Sequence, residues 1–586
     1  MDGWKVGSLR GLRFHPVLRA RLPVIPFAMS RRTASLTGLA LVLTLCTGIW
    51  LGAWMPRDDD FFALRKNFEI FGAAYEELVT GYVEPLDAER LMRAGLEAML
   101  SDLDPYTTFI DEADRTDASI MTRGRYGGVG LNVGRRGGRI TVIAPVEGAS
   151  GYKQGVRAGD VLLRVADQRI DSLSVGDVET LLRGEPGTTV DVRVRREGIS
   201  TPIDFTLTRE RITLATVSHR GFVGDPENAV GYVKLERFTR QAGTDVRNAL
   251  QALDEDRSLQ AVVLDLRDNP GGLLDAAVDV AELFVDQGAT IVSTRGRLPE
   301  TNRTYRSDRT PLYPDLPLVV LVNGYSASAS EIVAGAVQDL DRGVVLGTTT
   351  YGKGLVQVIR SLPHNTSLKM TTATYYTPSG RSIQSVDYSD EVAPDASEGG
   401  STPSQAGGGF ETAGGRDVDD NRGIEPDVEV EPAPTSPLEE ALQRKAAFFL
   451  YANHYAARRD ALDANFRVGD EVLADFRAWL QAENVDYATD AERAVADLGE
   501  RLQQRGYTAA TDEVNALQSA LQASKESGFD EHADDLKRHL ERDILARFVG
   551  RSRQVEASLT YDTQVDSAVA LVSSPDRYRT ILSPEK

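Results

Sequence analysis

Residues 323–338 read NGYSASASEIVAGAVQ, and the six residues before them, PLVVLV at 317–322, form an unbroken apolar run. The run predicts a short buried strand and Asn323-Gly324 a turn. The stripe Ile332, Val333, Ala336 and Val337 predicts a helix packed on a core. A serine at such a junction sits beside unpaired backbone N–H groups and the positive end of the helix dipole, where developing negative charge is stabilised. Twenty-five residues after Ser328 comes Lys353, inside TTTYGKGLVQ. The pair suggests a hydrolase that activates a serine with a neutral lysine instead of a histidine. A blander reading competes with it. Ser328 with Glu331 three residues on also fits a capping box, and Ser326 and Ser330 compete for both roles.

Further segments weigh on the catalytic side. Residues 261–284, AVVLDLRDNPGGLLDAAVDVAELF, run from an apolar strand through Asn269-Pro270-Gly271-Gly272 into an amphipathic helix. Glycines at a strand-to-helix turn let bare N–H groups approach a ligand. With the N–H of Ala329, those of Gly271 or Gly272 suit an oxyanion hole. A tight turn with a glycine helix start explains the segment alone equally well. Lys353 lies between Gly352 and Gly354, which suits a lysine led into a tight site, and a lysine acts as a base only where burial disfavours its charge. Gln357 is the nearest polar group able to hold the amine. A straight strand separates the two backbones by roughly 13 Å, from about 3.3 Å per residue, so the chain must bend for Gln357 to help. The stretch from Gly347 to Lys353 imitates a phosphate-binding loop. Gly354 stands where Ser or Thr would meet magnesium, however, and LVQVIRSL reads as a strand instead of the required helix.

Together with TTATYYTPSGRSIQ and GIEPDVEV, these motifs resemble those of the carboxyl-terminal processing proteases, peptidase family S41, serine peptidases with a Ser/Lys dyad and a PDZ domain. The resemblance keeps the family's motif order over most of residues 60–432. It implies Ser328 as nucleophile, Lys353 as general base, Gln357 as its support, and Ala329 with Gly271 or Gly272 as oxyanion donors. Asp339 matches an acidic position after the nucleophile helix, expected to be structural.

The resemblance also implies an α/β multidomain fold: an N-terminal helical region, a β-rich PDZ domain, an α/β crotonase/ClpP-like peptidase core and a C-terminal α-helical extension. The pattern assigns residues 60–120 to helices, a region often used for assembly in the family, and 123–212 to the PDZ domain. The glycine-rich opening of the latter, Gly127, Gly128, Val129, Gly130 and Leu131, is expected to present N–H groups to a peptide α-carboxylate beside an open strand edge. Hairpin turns would explain these glycines too, but GVRAGD at 155–160 favours the PDZ reading. The core is expected at 213–385 and 423–435. Residues 386–422, rich in Asp, Gly, Ser and Pro, read as a disordered insertion. From 436 to 586 the chain reads mainly as helix, from a good cap at Ser436. It braces the core, forms an oligomer or recruits an adaptor.

Only six histidines occur, and neither His219 nor His364 lies near an acidic residue in a triad-like motif. The only cysteine, Cys46, sits in an apolar run, which excludes a thiol protease and internal disulfides. No metal-ligand spacing is present, and no cofactor is expected. Residues 34–55 form a 22-residue uncharged run, long enough to span a bilayer. Seven Lys/Arg against one Asp in residues 1–32 place that side in the cytoplasm, so the body is expected outside it, periplasmic and tethered to the inner membrane by a retained signal anchor. Residues 1–33 form the basic segment before the anchor, with Met29 an alternative start. The net charge of −21 argues against nucleic acid and anionic membrane surfaces as partners. Part of it is local: residues 387–432 hold 13 acidic and 2 basic side chains. The expected function is a membrane-tethered endopeptidase that binds protein substrates by exposed, apolar C-terminal tails. The alternative is a non-catalytic PDZ scaffold on a degenerate core, which would have no need of Ser328, Lys353 and Gln357 together.

Overall fold

The computed structural model describes residues 58–111, 124–386, 388, 409–420, 422–459, 461–463 and 466–583. The apolar run 34–55 lies outside them. Among the described residues no helix is long and apolar enough to cross a membrane. The chain divides into two units, one ending at Gly95 and the other beginning at Leu96. The first holds helix α1 (Asp58–Gly81) and most of α2 (Ala88–Ser101), with Phe61, Phe62, Leu64 and Phe68 of α1 exposed.

The expected helical region is interrupted after Ser101. Strand β1 (Thr108–Ile110) follows α2 and pairs with a later strand, which overrides the local helical pattern. Residues 112–123 lie outside the described residues. The expected PDZ region then builds β2 (Arg125–Gly128), β3 (Leu131–Arg136), β4 (Arg139–Pro145), β5 (Val161–Val165), helix α3 (Val175–Leu182), β6 (Thr189–Arg195), β7 (Ile203–Thr208) and β8 (Glu210–Thr213). Strands β3 to β7 form a sheet in chain order, while β2 and β8 pair with each other and close the ends of the region together. Alternation along β6, TVDVRVR, buries Val190, Val192 and Val194 against Val178 and Leu182 of α3.

The core sheet has the order β9-β10-β11-β14-β15-β20. Its members are β9 (Val217–Val223), β10 (Val230–Leu235), β11 (Ala261–Asp265), β14 (Leu318–Val322), β15 (Val344–Gly347) and β20 (Val428–Glu429). From β10 onward all neighbours run parallel. Parallel strands covered on both faces need apolar side chains throughout, and AVVLD and LVVLV are buried at every position. Helices α4 (Ala242–Asp256), α5 (Leu274–Ala281) and α6 (Ala329–Asp339) cover one face. A second, antiparallel sheet links β1, β12 (Thr290–Arg295), β13 (Arg303–Arg306), β16 (Leu355–Ser361) and β17 (Ser367–Tyr376).

Two findings correct the expected organisation. Residues 409–420 are ordered, although composition assigns them to a disordered insertion. They make the hairpin β18 (Phe410–Glu411) and β19 (Asp417–Val418), held by Arg416, which bonds Asp341 at 2.7 Å, Asp427 at 2.5 Å and the Gln338 carbonyl at 3.0 Å. One well-placed arginine between two carboxylates orders a segment that has few apolar groups.

The C-terminal helices, in turn, form two separate assemblies. The first runs through α7 (Pro437–Arg444), α8 (Ala447–Ala456), α9 (Asp470–Ala482), α10 (Asp490–Gln504), α11 (Thr511–Glu531) and α12 (Ala533–Leu545), most of them around their own core of Phe448, Tyr451, Phe476 and Leu540. This lobe also leans on the PDZ region: Gly159 has φ 93°, which favours glycine, and a Cβ there would lie 2.2 Å from Asn453 Oδ1. The second assembly, α13 (Arg551–Leu559), α14 (Thr563–Val572) and α15 (Pro575–Leu582), covers the other face of the core sheet. Val565, Ala568 and Leu571 pack on Tyr232, Val263, Val319 and Leu321. The Tyr578 hydroxyl accepts from the Leu318 N–H at 2.9 Å and donates to its carbonyl at 3.0 Å. These helices complete a three-layer α/β/α core.

Arg267 joins the two layers. It donates to both oxygens of Asp562 at 3.0 and 2.7 Å, to Gln564 at 2.8 Å, and to the buried Asp265. Asp562→Ala removes the two bonds from Arg267 and the two cap bonds from the Gln564 and Val565 N–H groups, so stability should fall by at least about 1.5–3 kcal/mol in urea unfolding, with an unchanged midpoint counting against this brace.

Candidate active site

Three consecutive parallel strands, β11, β14 and β15, end on the same side of the sheet, so the loops that follow them meet there. These loops carry Asn269 to Gly272, Asn323 to Ser328, and Thr348 to Lys353. The sheet topology thus brings together motifs separated by up to about eighty residues in sequence.

Ser328 takes φ 55° and ψ −108°, immediately before α6. A non-glycine residue in such a conformation costs of order 1–3 kcal/mol and persists only where its surroundings hold it. Glu331 supplies that hold. Its carboxylate is fully buried and accepts from the Ser328 N–H at 2.7 Å, the Lys353 N–H at 2.9 Å, the Gly352 N–H at 2.7 Å and the Thr350 hydroxyl at 2.6 Å. Burial pushes the Glu331 carboxyl up, and the four donors work in the opposite direction. The S-x-x-E spacing therefore does mark a cap, and the same carboxylate also ties the serine turn to the lysine loop.

The three serines are not equivalent. Ser326 Oγ donates to the Leu266 carbonyl at 2.9 Å, and Ser330 Oγ to the Asn269 carbonyl at 2.8 Å; both residues are wholly buried. Ser328 keeps 7% exposure and meets the buried Tyr375 phenol. Asn269 is the second clamp. Its side chain donates to the Leu235 carbonyl at 2.8 Å and accepts from the Gly271 N–H at 2.9 Å. Gly271 has φ 94°, and a Cβ there would sit 3.0 Å from Ser328 Cβ and 2.5 Å from the Ala327 carbonyl. Its N–H being engaged, the N–H groups of Gly272 and Ala329 are the ones left without an acceptor beside Ser328 among the described residues.

Lys353 is half-buried. Desolvation and the neighbouring Lys369 bring its pKa down to about 8, against Asp104 and Glu331, which favour the charged form. Its Nζ lies 4.1 Å from the Tyr106 ring centroid, and no hydrogen bond joins it to Ser328 Oγ. Gln357 is not brought to the amine either. A bulge interrupts the β16 register between Val356 and Gln357, and the amide donates to Thr371 Oγ1 at 3.2 Å. Asp339 is paired with the buried Arg381 of TPSGRSIQ at 2.8 Å. Asp427 of GIEPDVEV accepts from the Val345 N–H at 2.7 Å.

In the PDZ region Gly127 and Gly128 lie within β2, paired with Arg211 and Glu210, and are not loop residues. The loop is Val129-Gly130, whose N–H groups have no acceptor among the described residues. Leu131 opens β3, whose outer edge faces α3 and is unpaired among the described residues. His219 Nδ1 is 3.0 Å from Ser552 Oγ, and among the described residues no carboxylate hydrogen-bonds that ring. Among the described residues no group of His, Cys, Asp and Glu is placed to hold a metal ion. Glu331, Asn269, Tyr375 and Tyr106 were not assigned to the site by the motifs. Glu331 left a signal in its capping-box spacing, Asn269 and Tyr375 lay within quoted motifs without a role, and Tyr106 left none.

The chain matches the model of peptidase family S41 over residues 229–397 and that of the PDZ domain over 141–196. Residues 438–572 match the model described as "Probable PDZ-protease, C-terminal helical domain". It is 36% identical over 330 residues to a carboxy-terminal-processing protease of Bartonella bacilliformis, covering 56% of this chain and 75% of that one. It is 32% identical over 372 residues to a carboxyl-terminal-processing protease of Synechocystis, covering 61% and 86%. A solved photosystem II D1 C-terminal processing protease is 29% identical, covering 62% and 87%, with a TM-score of 0.35. The chain belongs to the carboxy-terminal processing proteases of family S41, with a PDZ domain and a helical C-terminal domain, and is a peptidase.

Glu331→Gln replaces an oxygen that accepts by an NH2 that cannot. Because a displacement of about 1 Å can cost roughly a hundred-fold, kcat/KM on a peptide substrate should fall at least that far. Near-native turnover by the folded variant would remove Glu331 from the site's architecture.

Proposed function

We propose that this chain is a membrane-tethered serine endopeptidase that grips exposed C-terminal tails through its PDZ domain and cleaves by a Ser328/Lys353 dyad. The observation that carries this reading is the Glu331 carboxylate, which binds the backbones of both residues while the two flanking serines are engaged elsewhere. Neutral Lys353 accepts the Ser328 hydroxyl proton as Oγ attacks the scissile carbonyl. The N–H groups of Ala329 and Gly272 face the resulting oxyanion. The ammonium of Lys353 then passes its proton to the leaving amine, and water, deprotonated by the same lysine, releases the acyl group. Gln357 remains a proposed support, for a conformation in which it turns from Thr371. A substrate's terminal carboxylate meets the Val129 and Gly130 N–H groups and its tail extends β3.

The base must be unprotonated, so the rate rises as pH passes upward through the Lys353 pKa, and the acid limb of kcat/KM should have its midpoint near pH 8. With a disordered protein bearing an apolar C-terminus as substrate, Ser328→Ala and Lys353→Arg should both be inactive. Ser326→Ala and Ser330→Ala should keep partial activity. An arginine keeps the charge and cannot release a proton at ordinary pH, so turnover by Lys353→Arg would replace the base by a simple cation.

The location rests on residues 1–60: a basic segment, the apolar run, then Asp58, Asp59 and Asp60. An alkaline phosphatase reporter fused after Asp60 should be active outside the cytoplasm, and deletion of 34–55 should release the chain from membranes. A fusion active only in the cytoplasm would reverse the topology.

A further inference from the structure

Lys353 rests on an aromatic face and not on Ser328. Tyr106 belongs to the turn between α2 and β1, outside the motifs that define the site, and that turn is fixed on every side. Asp104 Oδ1 accepts from the N–H groups of Tyr106 and Thr107, both at 2.8 Å, and its Oδ2 from the Thr107 hydroxyl at 2.7 Å. Thr107 Oγ1 accepts in turn from the Thr371 N–H of β17 at 3.2 Å, and Thr371 is also the partner of Gln357. Strand β1 continues the turn by pairing with Ser367, Leu368 and Lys369. The ring itself stands edge-on to Tyr388, with centroids 6.3 Å apart and planes at 89°. Burial and contacts with Tyr351 and Tyr388 push the Tyr106 phenol far up, so it stays neutral and presents its ring, not a charge, to the amine.

A ring attracts an ammonium lying over its face and has no such attraction for a neutral amine. We propose that Tyr106 is a positioning residue that seats the protonated Lys353 away from Ser328 and so sets the pH at which the lysine is released to act as base. This rests on the Ser/Lys reading above. The other groups facing Nζ are Lys369 on β17, which opposes its charge, and Asp104 and Glu331, which favour it. The ring acts with the carboxylates and against burial. Loss of the proton ends the attraction, and the freed side chain is then able to turn to Ser328 Oγ.

The test removes the ring and keeps the apolar bulk. In the full chain, Tyr106→Leu should move the acid limb of kcat/KM down by about half to one and a half pH units, since the attraction is worth about 0.5–2 kcal/mol and a pKa unit about 1.36 kcal/mol. Tyr106→Phe keeps the face and should keep the native midpoint, and Tyr106→Met serves as a second ringless variant. A purely structural role would lower the rate at every pH without moving the limb. Competitive labelling of Lys353 by acetic anhydride, read by peptide mass spectrometry in the Ser328→Ala chain, follows the same titration without activity. It should show the same downward shift with Leu and none with Phe. An unmoved or raised midpoint in both ringless variants overturns the proposal. Hydrolysis by Ser328→Ala or Lys353→Arg would instead sink the dyad, and the labelling result would stand apart from it.

Discussion

The Glu331 carboxylate is the point on which the site depends. A buried carboxylate carries a desolvation penalty of several kcal/mol unless donors surround it, and here four converge from two loops. Two of those donors are the N–H groups of Ser328 and Lys353. The penalty becomes a constraint: if either loop moved away, the charge would lose donors in a dry interior. This gives a physical reason for Ser328 to hold an unfavourable backbone conformation. Asn269 repeats the device with a neutral amide, locking the Gly271 turn to the Leu235 carbonyl, while its backbone carbonyl accepts from the Ser330 hydroxyl.

The support extends beyond the peptidase motifs. Asp265 and Arg267 lie just before the Asn269 turn, and Arg267 reaches across to Asp562 in the C-terminal helices. Those helices cover the sheet face that α4, α5 and α6 leave open. The end of the chain is therefore a structural layer of the core, while the lobe before it packs beside the PDZ domain through Asn453 and Gly159. A single C-terminal region thus touches both the PDZ domain and the core sheet.

Electrostatics around Lys353 is a balance of opposed effects. Burial and Lys369 disfavour its charge, and Asp104 and Glu331 favour it. The outcome near 8 places the lysine between a permanent cation and a permanent base at ordinary pH. The acidity of the whole chain has little part in this, because distant exposed charges are screened within about 10 Å at 0.1 M salt, and much of the excess sits in 387–432.

The sequence by itself determined the elements whose period is local. LVVLV, AVVLD and the stripe of α6 are legible because burial writes itself into spacing, and the S-x-x-E cap into four residues. Motif order was sufficient for the family. Composition also read 386–422 as disordered, and there it missed the 409–420 hairpin, since Arg416 finds its carboxylates at Asp341 and Asp427 only after folding. The helical pattern toward residue 120 failed at Thr108–Ile110 for a similar reason: the pairing partner, 367–369, lies about 260 residues away. Tertiary structure alone decided that three strand ends deliver their loops to one edge, which of the two glycines keeps a free N–H, and that Gln357 bonds Thr371 instead of the amine. It also placed Tyr106 over Lys353. Each of these depends on which distant segments become neighbours, and spacing along a chain carries no record of that.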